Sequence, residues 1–266
     1  MAGKLDEIIA ATRARMSQSK SEADLRALEL RASAHRPRGF RSRLKAASKT
    51  GPAIIAELKK ASPSKGLIRA DFPVPGLAQE LEQAGAAALS VLTDEQFFQG
   101  SLLNLELASH ATSLPCLRKD FMVDEFQLLE ARAHCADAVL LIVAALTQCE
   151  LTDLSERARA FDLDVLCEVH DRDELQRALD AGCDVIGVNN RNLHTFRVDL
   201  NTSLVLAELM TGVVLKVAES GIESGDDIGR LRAAGFEAFL IGESLMRVPH
   251  PGDALATLLA RAAATA

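Results

Sequence analysis

From residue 52 onward, short apolar runs alternate with amphipathic segments at fairly even spacing. Eight of these runs have the length and aliphatic content of buried strands: AIIAEL (53–58), AALSVL (87–92), PCLRKD (115–120), AVLLIV (138–143), DVLCEV (164–169), DVIGVN (184–189), VVLKVA (213–218) and AFLIG (238–242). The segments between them place apolar residues at helical spacing, and several end in Ala-Gly just before the next strand. Eight strand–helix units predict the α/β class and a closed parallel (β/α)8 barrel, the TIM barrel, over residues 48–266.

Residues 1–47 precede the first predicted strand and have helical periodicity. One apolar stripe contains Leu5, Ile8, Ile9 and Met16, and a second contains Leu25, Leu28 and Leu30. This pattern predicts an extra N-terminal helical segment that covers part of a barrel mouth. We expect it to form one domain with the barrel, over residues 1–266.

A doubly wound open sheet is the structural alternative. Such a sheet usually carries a Gly-rich phosphate loop after its first strand. The segment ASPSKG (61–66) does not match that fingerprint, so the barrel is favoured.

Composition narrows the classes of partner. The chain has 266 residues and a net charge of −7, without the basic excess that binding to nucleic acid requires. Its N-terminus alternates charged and apolar residues, unlike a signal peptide or a membrane span, so we expect neither export nor a membrane anchor. Five cysteines without a CxxC pair favour reduced thiols in the cytoplasm. No HxxxH or HxH spacing or other ligand cluster suggests a metal site.

Charged and polar residues end several of the predicted strands, where a barrel enzyme keeps its active site. The candidates at or near these ends are Glu57, Lys59, Lys119, Glu168, Asn189 and Glu219, followed by Ser62, Arg191 and Ser220. Side chains of a strand alternate between its two faces, so Glu57 and Lys59 share one face with Ile55. Arg118 and Lys119 have opposite parity, so only one of them can enter the barrel, and we expect it to be Lys119.

Arg118 and Lys216 are expected to face the helices, and the charge of Arg118 is expected to reach outward. Two alternatives remain open for the carboxylates. Glu57 and Lys59 could form a purely structural ion pair, and Glu168 could cap the following helix.

The last strands lead into three segments with small or polar residues, GVNNRNL, AESGI and LIGESLM. Loops after strands seven and eight of such barrels commonly bind phosphate through backbone N–H groups. We therefore expect a phosphate site at Ser220, Gly221, Gly242 and the backbone amide of Glu243.

Several segments together resemble the successive motifs of the indole-3-glycerol phosphate synthase family. They are IIAELKKASPSKG, SVLTDEQFFQGS, LPCLRKDF, GVNNRNL, AESGI and LIGESLM, spread over most of residues 50–247. The resemblance implies a carboxy-lyase of tryptophan biosynthesis that uses no metal and no cofactor. Its small, anionic substrate would be 1-(2-carboxyphenylamino)-1-deoxyribulose 5-phosphate, which loses carbon dioxide and water to give indole-3-glycerol phosphate.

The resemblance also implies roles for the candidate residues. Lys119 would be the first general acid, Glu168 a general base and Lys59 an assistant in acid chemistry, while Glu57 and Glu219 would orient lysines and substrate hydroxyls. The division of acid steps between the two lysines stays open. Asn189 belongs to the implied catalytic set and would hold substrate polar groups. The implied substrate-binding residues are Arg191 for the anthranilate carboxylate, Phe97 and Phe98 for the aromatic ring, and Ser62, Ser220, Gly221, Gly242 and Glu243 for the phosphate. Ordinary loop packing is the open alternative for either Phe. Independently of the resemblance, the Ser, Lys and Gly residues of the ASPSKG loop favour a mobile cover whose Lys65 approaches the substrate on closure.

Two other functions fit the same barrel. A phosphoribosylanthranilate isomerase-like enzyme would share the phosphate loops, although such an isomerase needs only one acid and one base. A non-catalytic barrel would bind a phosphate ligand without turnover. We expect a monomer, and a weak association with other enzymes of the tryptophan pathway stays open.

Overall fold

The computed structural model describes residues 4–193, 195–210, 212 and 214–264. Val213, the predicted first residue of the seventh strand, lies outside these described residues, as does His194. Residues 1–3 of the predicted N-terminal segment and residues 265–266 of the predicted barrel also lie outside them.

Eight parallel strands close into a barrel. They are β1 (Ala53–Leu58), β2 (Ala88–Leu92), β3 (Cys116–Lys119), β4 (Ala138–Ile142), β5 (Asp164–Val169), β6 (Val185–Asn189), β7 (Leu215–Glu219) and β8 (Ala238–Ile241). Each strand pairs with its neighbours in sequence, and β8 pairs with β1 to complete the ring. The predicted (β/α)8 barrel is therefore confirmed. The seventh strand includes Glu219 as its last residue, so the prediction that placed this residue after the strand was wrong by one position.

Helices surround the barrel and precede it. They are α1 (Lys4–Glu22), α2 (Leu25–Ala34), α3 (Phe40–Ala47), α4 (Val74–Gln83), α5 (Glu95–Phe98), α6 (Leu102–Ala111), α7 (Phe126–Ala133), α8 (Gln148–Ala160), α9 (Arg172–Asp180), α10 (Asn201–Ala207), α11 (Gly225–Ala233), α12 (Glu243–Met246) and α13 (Pro251–Ala264). Capping boxes begin α8 and α11, where Thr147 and Ser224 satisfy backbone N–H groups. In the described part of the chain, no helix is both long and apolar enough to cross a membrane.

The strands bury both faces, as a parallel barrel requires. Ile55 packs inside the barrel with Leu117, Leu140 and Val217. Ala56 and Leu58 pack outward against the surrounding helices. The alternation predicted for the first strand is therefore confirmed, and it directs Glu57 to the interior.

The N-terminal segment contributes to both ends of the barrel. Leu5 and Ile8 of α1 line a cavity at the carboxyl ends of the strands, which confirms that the segment covers part of the mouth. At the opposite end, Phe40 and Leu44 of α3 are fully buried among residues that begin the strands. The segment therefore also closes the amino-terminal end of the barrel.

Most of the second apolar stripe of the N-terminal segment does not face the core. Leu25 and Leu30 are exposed, and Leu30 exposes 65% of its surface. Leu28 alone of this set packs inward, against the small cluster that contains Met16. A helix that lies on the surface of a domain buries only one face. In α2 this is the face that contacts α7, and Leu25 and Leu30 lie outside it.

A buried carboxylate joins this segment to the barrel. Asp137, just before β4, accepts hydrogen bonds from the backbone and guanidinium of Arg38, with donor–acceptor distances of 2.6–3.2 Å. The Nε2 atom of His35 lies 3.1 Å from Oδ1 of Asp137, and the backbone N–H of Cys116 donates at 2.7 Å. Burial opposes ionisation of Asp137, but its bonds with His35 and Arg38 outweigh burial and lower its pKa.

Candidate active site

A cavity of about 750 Å³ opens at the carboxyl ends of the barrel strands. The predicted site residues that line it are Glu57, Lys59, Ser62, Phe98, Lys119, Glu168, Asn189, Arg191, Glu219, Ser220, Gly221, Gly242 and Glu243. Lys65 lines it as well. Phe97 does not, and its backbone N–H instead donates to the capping carboxylate of Asp94 at 2.6 Å. The strand ends therefore bring together the residues that sequence parity selected.

Glu57 and Lys59 form an ion pair at the end of β1. The Nζ atom of Lys59 lies 2.5 Å from Oε1 of Glu57, and the carboxylate is almost completely buried. Burial disfavours the charged form of Glu57, but the positive charges of Lys59 and Lys119 outweigh it and lower the pKa of Glu57. This carboxylate is therefore ionised at neutral pH.

Lys119 lies between two carboxylates from the far side of the barrel. Its Nζ atom is 3.5 Å from Oε2 of Glu168 on β5 and 3.8 Å from Oε2 of Glu219 on β7. Burial disfavours the ammonium form, but the charges of Glu168, Glu219 and Glu57 outweigh burial and raise the pKa of Lys119. The lysine therefore enters the cavity as a cation.

The two carboxylates beside Lys119 differ in protonation. Burial raises the pKa of both groups, but Lys119 and His170 act against it at Glu168, whose pKa falls well below its ordinary value. At Glu219, burial and the negative charge of Glu168 prevail and raise the pKa to about 8. The opposite pKa shifts mean that a proton binds more tightly to Glu219 than to Glu168.

Arg118 and Lys216 face the helices, as strand parity predicts, and Lys216 donates to the carbonyl of Ala207. The expectation that the charge of Arg118 reaches outward was wrong. Its side chain is only 3% exposed, and its guanidinium lies 3.0 Å from Asp120 and 2.9 Å from Glu130. Asp120, on the loop after β3, and Glu130, on α7, neutralise the guanidinium charge inside the protein. The side chain therefore does not extend to solvent.

The loops after β6 and β7 are held together beneath the cavity. Asn189 accepts a hydrogen bond from the backbone N–H of Arg191 at 3.0 Å. Its neighbour Asn190, which we had not selected, donates to the carbonyls of Glu219 and Ser220 at 3.0 and 3.2 Å. Ser220 adopts a left-handed backbone with φ of +63°, which is uncommon for a non-glycine residue and concentrated at functional sites.

The predicted phosphate end of the cavity carries an acidic side chain, Glu243. Its carboxylate lies 2.8 Å from Arg247 and 3.8 Å from Arg191, so it is paired with arginines. Burial opposes its ionisation, but the bond with Arg247 prevails and lowers the pKa of Glu243. These ion pairs reduce the repulsion that the carboxylate would exert on an anion.

Aromatic and aliphatic side chains form the opposite wall. Phe98 lies 6.2 Å from Phe121 between ring centroids, with the rings tilted by 41°. Phe121, Leu5 and Ile8 line the cavity but were not among the selected residues. Phe121 follows directly on a predicted strand end, which was a usable signal, whereas nothing local marked Leu5 and Ile8 as cavity residues.

His170 and Gly187 were also missed. His170 lies two residues after Glu168, and its Nε2 atom is 3.4 Å from Oε1 of that carboxylate. A β-carbon at Gly187 would collide with the carboxylate of Glu219, so the glycine leaves room for it. The alternative role of Glu168 as a helix cap is not observed, because Asp171 caps α9.

Sequence comparison supplies close relatives. The chain is 59% identical to the indole-3-glycerol phosphate synthase of Koribacter versatilis (strain Ellin345), over 97% of this chain and 100% of the relative. It is 48% identical to the enzyme of the same name from Burkholderia ambifaria (strain MC40-6), over 97% of this chain and 99% of the relative.

A more distant solved structure shares only the fold. Thiamine phosphate pyrophosphorylase from Pyrococcus furiosus superposes with a TM-score of 0.60 at 17% identity, over 83% of this chain and 98% of that one. The family model of indole-3-glycerol phosphate synthase, in contrast, matches residues 5–258. On this match and the identities above, the chain belongs to the indole-3-glycerol phosphate synthase family.

Proposed function

We propose that this chain is a carboxy-lyase that converts 1-(2-carboxyphenylamino)-1-deoxyribulose 5-phosphate into indole-3-glycerol phosphate, with carbon dioxide and water as the other products. The observation that carries the proposal is the position of Lys119 between Glu168 and Glu219. This reaction needs a cation that gives a proton to a carbonyl and a separate group that accepts one. Both lie within a single cavity here.

Ring closure is the first step. Lys119 protonates the ketone oxygen of the sugar as the aromatic carbon attacks, so one carbon–carbon bond forms and the carbonyl becomes a hydroxyl. Phe98 and Phe121 pack on the aromatic ring and hold it over that carbonyl. Loss of carbon dioxide then returns its bonding electrons to the ring.

Dehydration follows. An acid protonates the hydroxyl, which leaves as water, and Glu168 accepts the proton whose loss completes the indole. Lys59, paired with Glu57 at 2.5 Å, is the second ammonium group in the cavity and assists the acid steps. Glu219 orients Lys119 and a substrate hydroxyl.

Substrate binding uses the two ends of the cavity. Arg191 offers its guanidinium fork to the anthranilate carboxylate, and Asn189 holds substrate polar groups. The phosphate lies on backbone N–H groups of Gly221, Gly242 and Glu243, with Ser220 and Ser62 beside it. The hydroxyl of Ser62 is buried and has no hydrogen-bond partner among the described residues, so it is available for a hydrogen bond with a bound ligand.

We also propose that the chain acts as a monomer of one domain in the cytoplasm. Phe40 and Leu44 of the N-terminal segment pack inside the barrel, so the segment and the barrel share one core, which supports a single domain. The five cysteines, all within the described residues, are free thiols, which suits a reducing compartment. No metal or cofactor enters any of the proposed steps.

The test is indole fluorescence on addition of the substrate, because a chain without Trp and Tyr has little background emission. Wild type should generate indole emission, and Lys119→Ala should reduce kcat by at least about 100-fold. Lys45→Ala, an exposed lysine on α3, is the matched control and should retain full activity. Well-folded wild type that binds the substrate but produces no indole would refute the proposal and favour a phosphate-binding barrel.

A further inference from the structure

A histidine outside the cavity lining contacts the proposed base. His170 follows β5 directly, and its Nε2 atom lies 3.4 Å from Oε1 of Glu168. The other oxygen of Glu168, Oε2, lies 3.5 Å from Nζ of Lys119. The two oxygens of the Glu168 carboxylate therefore face different basic groups, His170 at Oε1 and Lys119 at Oε2.

Glu174, in the first turn of α9, fixes this histidine. Its Oε2 atom accepts the backbone N–H of His170 at 2.8 Å and lies 3.0 Å from Nδ1 of the imidazole. The imidazole thus lies between two carboxylates, Glu168 on β5 and Glu174 on α9. Burial disfavours its charged form, but these two carboxylates outweigh burial and raise the pKa of His170 to about 10.

The two positive neighbours of Glu168 differ in what happens to them during the proposed reaction. Lys119 loses its charge when it gives its proton to the substrate carbonyl. Keeping a buried carboxylate ionised without a counter-charge costs free energy. If Lys119 were the only positive neighbour of Glu168, the carboxylate would therefore take up a proton. His170 lies outside the cavity lining, so it keeps its charge throughout this step.

We propose that His170 is a positioning residue, held by Glu174, that keeps the Glu168 carboxylate in place and provides a constant positive charge beside it while Lys119 gives up its proton. The inference rests on the proposed role of Glu168 as the base. Lys119 on β3 and Glu219 on β7 also face this cluster, and Glu57 on β1 and Cys167 on β5 interact electrostatically with Glu168 as well.

The kinetic test compares His170→Asn with His110→Asn, an exposed histidine on α6. We expect His170→Asn to lower kcat roughly 10-fold with KM nearly unchanged, because the residue does not contact substrate. The loss should increase toward acidic pH, since Glu168 without its constant counter-charge is protonated more easily. A variant that loses thermal stability but keeps the shape of the wild-type pH profile would overturn the proposal.

Glu174 provides a second test. Glu174→Gln should change the pH profile in the same direction but less, and the double variant should lose no more than His170→Asn alone, because Glu174 acts through His170. Additive losses would contradict this arrangement.

NMR titration of His170 in the free protein tests the contact without activity. We expect a titration midpoint of about 10 that falls in Glu168→Gln, and an unchanged midpoint would refute the pairing. Glu168→Gln also separates the two proposals. Full activity in that variant removes Glu168 as the base, whereas an inactive Glu168→Gln with a normal His170→Asn profile refutes only the role of His170.

Discussion

Gly242 lies directly against the carboxylate of Glu57. A β-carbon at position 242 would be 2.5 Å from Oε1 and 2.8 Å from the β-carbon of Glu57. The φ angle of Gly242 is −133°, which any residue adopts, so the close approach and not the backbone conformation requires glycine here. The glycine at the end of β8 therefore leaves the space that the Glu57 carboxylate occupies.

Gly242→Ala should displace Glu57 and break its ion pair with Lys59. We expect kcat to fall about 10- to 100-fold, because displacements near 1 Å within a catalytic site have effects of this size. Steady-state kinetics with the fluorescent product provides the measurement. Gly76→Ala is the control, since a β-carbon at Gly76 in α4 meets nothing within 4 Å. Normal kcat in Gly242→Ala would show that Glu57 need not remain at its observed position.

Glu219→Gln should stabilise the protein at alkaline pH. The pKa of Glu219 is raised from 4.5 to about 8, so the folded chain keeps a proton that the unfolded chain releases over this interval. Its contribution to stability is fully present below the lower value and is lost as the pH rises through the upper one. The Tm of the variant relative to wild type should therefore increase between about pH 5 and about pH 9.

The exposed Glu208 on the turn after α10 supplies the control for this experiment. Glu208→Gln should change Tm by the same small amount at each pH. A Tm difference for Glu219→Gln that does not vary with pH would mean that the carboxyl group titrates normally.

Arg191→Ala should weaken substrate binding. Loss of a charge-assisted bond to the substrate carboxylate costs about 1.5–3 kcal/mol, which corresponds to an increase of about 10- to 100-fold in KM. Arg197, on the same loop but outside the cavity lining, provides the matched control variant Arg197→Ala. Equal KM values for the two variants would place the substrate carboxylate elsewhere.

Asp137→Asn should weaken the attachment of the N-terminal segment. Removing one partner of a buried ion pair typically costs about 3–5 kcal/mol, and here Arg38 would lose its carboxylate. Thermal or urea unfolding measures the loss. A change below about 1 kcal/mol would show that the remaining hydrogen bonds of Arg38, to the carbonyls of Ser109 and Thr112 and to the hydroxyl of Ser109, are sufficient.

His35→Asn should have an effect on stability that depends on pH. Burial lowers the pKa of His35, but contact with Asp137 outweighs it and raises the pKa from 6.5 to about 8. The stabilisation by His35 is therefore complete below the lower value and is lost as the pH rises through the upper one. The Tm deficit of the variant should be larger at acidic than at alkaline pH, whereas the exposed control His110→Asn should show no such trend.

The sequence by itself determined the barrel and most of the cavity lining. Periodicity is local, so eight apolar runs separated by helical segments were sufficient for the fold. In a closed parallel barrel all carboxyl strand ends meet at one mouth, so Glu57, Lys119, Glu168 and Asn189 were selected from their positions alone. Alternation along β3 likewise separated Lys119 from Arg118.

Only the tertiary structure decided the protonation of the carboxyl groups and the limits of the site. Glu168 and Glu219 have opposite pKa shifts because these depend on distances to Lys119 and His170 across the barrel, and no local pattern encodes such distances. The orientation of α5 decides that Phe98 and not Phe97 lines the cavity. The position of α3 decides how the opposite end of the barrel is closed. Each of these features depends on contacts between residues that are distant in sequence. Such contacts form only in the folded chain, so local sequence patterns do not reveal them.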